Sequence, residues 1–234
     1  MTYQLPDSFS TPDDTRALAY VRRYFGLDGG KAYAGSYFDG WGGSQDSDRF
    51  TADDLVAVSF LSVFVPPMAA HRLLETETER FQELLRAVGP DRDLVTESDT
   101  IEKNWPGRQL NAALDELPGI GPTIASKLCA RKRPHLIPVF DSVVAQITNA
   151  WDSQWEPLRL ALRERDCELH ERLLRLRDTV GLSSEVSVLR VYDVVTWMEG
   201  KDKNYRPTTP EEQLGSELAD PADGYEDDSA SPTS

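Results

Sequence analysis

The sequence predicts an all-α fold, and three observations carry that prediction. Apolar residues recur at three- and four-residue intervals in nearly every segment, capping residues and Pro or Gly stops bound those segments, and the period-two alternation of a half-buried strand is missing.

Taken in order, Thr11, Pro12 and Asp14 open a first helix whose Leu18, Val21 and Phe25 share a face. Gly29 to Phe50 then loses the helical period and collects Tyr33, Gly35, Tyr37, Phe38, Gly40, Trp41, Gly42 and Gly43, as a long loop or a short hairpin. Its aromatics admit two readings, a plug for the core between the first two helices or a platform for an unpaired base. Thr51 and Asp54 make a capping pair ahead of Leu55, Val58, Phe60 and Leu61, and Pro66-Pro67 breaks that run. A longer helix follows to Val88 with a stripe of Leu74, Phe81, Leu84, Leu85 and Val88, closed by Gly89-Pro90.

Pro106 to Leu117 carries Leu110, Ala113, Leu114 and Leu117 at helical spacing. Thr123 to Arg131 places Ile124 and Leu128 on one face and Lys127 and Arg131 on another, with Lys132 and Arg133 extending the charge before Pro134 stops the helix. Leu158, Leu162, Leu169, Leu173, Leu176 and Val180 keep one period to Gly181, which puts Arg159, Arg163, Arg172 and Arg175 largely in solvent. Ser184 to Glu199 is apolar nearly all round, so it belongs at the centre of the bundle, and Arg190 and Asp193 read as a structural ion pair on it.

Composition bounds the function. The 234 residues, 39% of them hydrophobic, suffice for a core, and the net charge is −15. Eight acidic residues and no basic ones lie between Pro207 and Ser234, and the rest of the chain keeps −7 without them. We expect one helical domain over residues 1–205 and an acidic disordered tail over 206–234. The opening Met-Thr-Tyr-Gln-Leu has no basic, apolar leader and no apolar run is long enough to span a membrane, so a cytoplasmic protein without a membrane partner is expected. Cys129 and Cys167 read as free thiols, and no spacing suggests a metal or a cofactor.

Between the two middle helices stands Leu117-Pro118-Gly119-Ile120-Gly121-Pro122-Thr123-Ile124-Ala125. Two glycines around one aliphatic residue allow a sharp bend into a new helix, with bare amides aimed outward where a phosphate can sit. Eighteen residues after Thr123, in Pro138-Val139-Phe140-Asp141-Ser142, an aspartate stands where a helix opens. It can serve as a helix cap alone or as a reactive carboxylate.

This arrangement, over residues 105–150, resembles the helix-hairpin-helix DNA glycosylase superfamily, with the hairpin itself at 105–133. The resemblance implies a helical bundle of that type, DNA as partner, the hairpin glycines at Gly119 and Gly121, and the catalytic aspartate at Asp141. Thr123 stands where bifunctional members carry the Schiff-base lysine, so a monofunctional N-glycosylase without lyase activity is what the resemblance allows. Gln146 replaces a basic residue of the family, and two cysteines cannot ligate the iron–sulfur cluster many relatives hold. In that reading Asp141 stabilises positive charge developing on a deoxyribose. Gly119, Ile120, Gly121, Thr123, Lys127, Arg131, Lys132 and Arg133 contact the strand, with Arg108 and His135 nearby. The alternative is a non-catalytic interaction or scaffold domain on the same fold.

Overall fold

Thr51 and Asp54 pair as their spacing predicts, the Asp54 carboxylate accepting from the Thr51 amide at 2.9 Å, and local rules of this kind place most of the helices. In the computed structural model, which describes residues 2–42, 46–151, 154–210 and 212–214, every regular element among the described residues is helical. The helices are α1 (Thr15–Tyr24), α2 (Ala52–Ser59), α3 (Pro67–His71), α4 (Thr78–Val88), α5 (Pro106–Asp115), α6 (Pro122–Lys132), α7 (Ser142–Thr148), α8 (Trp155–Thr179) and α9 (Val188–Asp202). No described helix is long and apolar enough to cross a membrane.

α9 lies at the centre, packed on α1, α7 and α8, with Val191, Tyr192, Val194, Val195 and Met198 all buried. It approaches α7 closely at Gly200, where a Cβ would stand 2.4 Å from Val143 Cγ1. The hairpin arms α5 and α6 pack on each other, α4 covers α5, and α2 covers α6. One hydrophobic core, from Phe9 to Met198, joins these layers.

Three expectations change. The single helix expected to run to Val88 is divided, because a wide π turn at Arg72–Thr76 and the non-helical Glu77 separate α3 from α4. Within α8, Glu164, Arg165, Asp166 and Cys167 leave helical φ/ψ, three of them at positive φ, so the continuous stripe spans two helical pieces. The arginines expected in solvent do not all lie there. Arg159 and Arg172 are buried and inward-facing, Arg159 on Glu156 and the Glu97 carbonyl, Arg172 on Asp14 and the Phe9 carbonyl.

Gly29 to Phe50 forms turns and one 3-10 turn at Ala34–Tyr37 among its described residues, while Gly43 lies outside them. Its aromatics divide between the two readings. Phe38 is buried and Tyr33 stacks on Tyr24 at 5.5 Å, whereas Tyr37 and Trp41 stay exposed around Phe60.

Candidate functional site: the glycine bend and the Asp141 centre

The bend between α5 and α6 forms because Gly119 adopts φ +75°, a left-handed conformation that L side chains resist, while Gly121 stays extended and caps α6 ahead of Pro122. A Cβ on Gly119 would also stand 2.9 Å from Pro66 Cγ. Ile120 turns inward and is buried, its amide donating to the Leu117 carbonyl at 3.0 Å. Gly119 is exposed and Gly121 partly so, which leaves the outer edge of the bend open to solvent. Its neighbours Asp115 and Glu116 are exposed acids.

The cations expected to serve a phosphate backbone are engaged inside the molecule. Lys127, Lys132 and Arg133 are buried, and the side chain of Arg131 is 5% exposed. Arg131 donates to the carbonyls of Phe38, Asp39 and Trp41 and pairs with Asp54, which also binds Lys132 at 2.8 Å. Arg133 reaches the carbonyls of Ser47, Leu85 and Gly89 and the Asp48 carboxylate. The Lys-Arg run is therefore a clamp that fixes the aromatic loop and the start of α2 to the hairpin, and the reading of it as a solvent-facing basic patch is corrected. The physical reason is local supply of acceptors: loop carbonyls and two aspartates outcompete water for these donors. Arg108 lies over the Trp155 ring, 5.2 Å from its centroid. His135 binds Asp91 at 2.6 Å, an interaction that raises its pKa against the opposing effect of burial.

Lys127 behaves differently from its neighbours on α6. Its ammonium donates to the Leu61 carbonyl at 2.8 Å and lies 3.8 Å from Asp141 Oδ2. Asp141 caps α7, Oδ1 accepting the Val144 amide at 2.9 Å. It is 7% exposed, and burial raises its pKa, with Lys127 opposing and a second carboxylate, Glu212, adding to the rise. That second carboxylate comes from residues expected to lie in a disordered tail. Residues 206–210 and 212–214 instead pack over the start of α7, and Glu212 is buried. Glu212 accepts from the Ser142 amide at 2.8 Å, the Ser142 hydroxyl and the Thr123 hydroxyl at 3.2 Å. The remainder of the tail lies outside the described residues.

α6 and α7 thus bring Lys127 to Asp141, and Thr123 to the Glu212 carboxylate beside it, in a closed centre. A surface depression of about 320 Å³ lies elsewhere, between Arg23, Asp28, Lys31 and Tyr33. Deeper in, Arg190 holds both Asp193 and Asp39, the latter at 3.1 Å, which bears the ion-pair reading of Arg190 and Asp193 and adds a third member. Burial raises both carboxyls, that of Asp193 to about 7, against the opposing pull of Arg190 on each. No group of His, Cys, Asp and Glu among the described residues is arranged to hold a metal.

Sequence reasoning missed Ser142, Gln146 as a contact residue, and Glu212. The available signal was Thr209-Pro210-Glu211-Glu212, a capping box with proline at the first helical position, which an acidic composition concealed.

Residues 17–200 match DUF6308, a family of unknown function, and the chain belongs to that family. Comparison with curated proteins and with solved structures gave no match.

Proposed function

We propose that this chain is a nucleic-acid-binding protein with a helix bundle of the glycosylase type, in which the glycine bend meets the strand and Asp141 faces a sugar only when its centre is open. The observation that carries the reading is a seat built by Thr123 and Ser142 that already holds an anionic group, the Glu212 carboxylate, beside the Lys127–Asp141 pair. A site that pays the desolvation of one oxyanion has the donors for another. With the α6 cations turned inward, Lys127 among them, the protein relies on the bend amides and, once its centre opens, on Lys127, so strand contacts are few. A monofunctional glycosylase reaction, with Asp141 stabilising the developing positive charge, is the catalytic form of this proposal.

A second reading, a protein-interaction domain without nucleic acid, is favoured by the exposed apolar side chains of Phe64 at 43% and Met68 at 63%, which flank in sequence the Pro66 that approaches Gly119, and by the overall acidity. Fluorescence anisotropy with single- and double-stranded oligonucleotides separates the two. The nucleic-acid reading expects binding whose log–log salt slope is no steeper than about −1, corresponding to one neutralised phosphate. Four phosphate-bound cations would give about −3.6 for duplex DNA. Absence of binding at low salt favours the protein-interaction domain. For catalysis, duplexes with damaged bases should yield abasic sites with the wild type and not with Asp141→Asn.

A further inference from the structure

We propose that the seat of Glu212 is an oxyanion-binding site in its own right, and that residues 206–210 and 212–214 belong to a latch that fills it in cis, Glu212 standing where a phosphate of the bound strand would sit.

The seat is built from side chains on two helices. Thr123 on α6 and Ser142 on α7 donate hydroxyls, Ser142 adds its amide, and the Lys127 ammonium supplies positive charge behind them. Burial alone would raise the Glu212 carboxyl, yet the hydrogen bonds from Ser142 and Thr209 and the nearby Lys127 outweigh it and hold it below the usual range. The seat therefore favours a charged oxyanion over a neutral group. It is also deep, since Glu212 is 4% exposed although the residues around it, Pro210, Gln213 and Leu214, are exposed.

The latch is shaped to present this one group. Thr209 and Glu212 form a reciprocal capping box, Thr209 N donating to Glu212 Oε2 at 3.3 Å and Glu212 N to Thr209 Oγ1 at 3.4 Å, and Pro210 starts the turn between them. Apart from Glu212, it is tied to the body by Thr208 N to Ser142 Oγ at 3.0 Å and by Gln146 Nε2 to the Arg206 carbonyl at 3.0 Å. A segment held by one buried carboxylate and a few peripheral hydrogen bonds can lift without disturbing the core. Its tether to α9, only a few residues long, gives it an effective concentration on the order of millimolar against any ligand in solution. A competing phosphate must therefore outbind a permanently present carboxylate, and the acid centre stays shut until one does.

This proposal rests on the nucleic-acid reading only for the identity of the displacing ligand, and the experiment separates the two. Full-length wild type, Glu212→Ala, Glu212→Gln and Glu212→Ala/Ser142→Ala are compared by amide hydrogen exchange at Ser142 and by titration with inorganic phosphate and with a single-stranded oligonucleotide. Exchange at Ser142 should accelerate about tenfold or more in both single variants. Glu212→Ala should bind inorganic phosphate about tenfold more tightly than wild type, an advantage that disappears in the double variant. Unchanged exchange, or equal phosphate affinity in wild type and Glu212→Ala, overturns the latch. Phosphate binding without oligonucleotide binding in Glu212→Ala leaves the latch standing and removes the nucleic-acid reading.

Discussion

Arg133 shows how one side chain redirects the meaning of a sequence run. Fully buried, it donates to four carbonyls, of Ser47, Leu85, Gly89 and Lys132, and to Asp48, a pattern that a planar guanidinium with five donors can satisfy and an ammonium cannot. Replacing it leaves several acceptors without donors in a dry environment. Arg133→Met is expected to cost about 3 kcal/mol or more, measured as a shift in the urea midpoint, whereas a solvent-facing arginine would cost less than about 0.5 kcal/mol. The sequence could not reveal this orientation, since Arg131-Lys132-Arg133 is chemically as suited to phosphates as to carbonyls. What decides between them is a loop that arrives from some ninety residues earlier, carrying Asp39, Asp48 and exposed carbonyl groups.

Among the elements, the hairpin joining α5 to α6 was legible almost residue by residue. Gly119 at positive φ, buried Ile120, and Pro122 opening α6 all follow from local chemistry. Gly119→Ala meets two penalties, the left-handed backbone and the 2.9 Å approach to Pro66, and should destabilise by about 1–2 kcal/mol in chemical denaturation. If the bend contacts a strand, the same variant should lose binding out of proportion to its stability. The capping box of α2 and the centrality of α9 were equally readable, because each depends on residues three or four apart. The break inside α8 and the π turn before α4 were not, since apolar spacing is preserved across both. The Asp141 centre was half legible. Its hairpin-to-acid spacing is written in sequence, while its closure by Glu212 is a contact between residues 70 positions apart.

For the whole molecule, the notable electrostatic feature is a set of acids in the interior. Asp39, Asp141 and Asp193 are all raised by burial, although Arg190 and Arg131 act against the rise at Asp39, Lys127 at Asp141, and Arg190 and Lys127 at Asp193. An acid with a higher pKa folded than unfolded binds more protons in the native state, so its contribution to stability is present at low pH and is lost as pH rises toward the folded value. For Asp193 that window runs from an unfolded value near 3.8 to about 7. Wild type should therefore lose stability relative to Asp193→Asn between pH 4 and pH 7, read as the difference in urea midpoints. A difference that stays constant over that range would mean that Asp193 is ionised throughout and fully compensated by Arg190.

α7 is only seven residues long, and its two ends are closed by segments from opposite extremes of the described chain. Gln4 donates to the carbonyls of Thr148 and Ile147 at one end, and Arg206, Thr208 and Glu212 cover the other. So short a helix gains little from its own hydrogen bonds and depends on such clasps. During synthesis on a ribosome, then, this stretch stays unfinished until Glu212 has emerged, and Asp141 acquires its sealed surroundings as one of the last steps of folding. An amino-terminal purification tag, or a carboxy-terminal one placed just after Leu214, would press on the same small helix from either side.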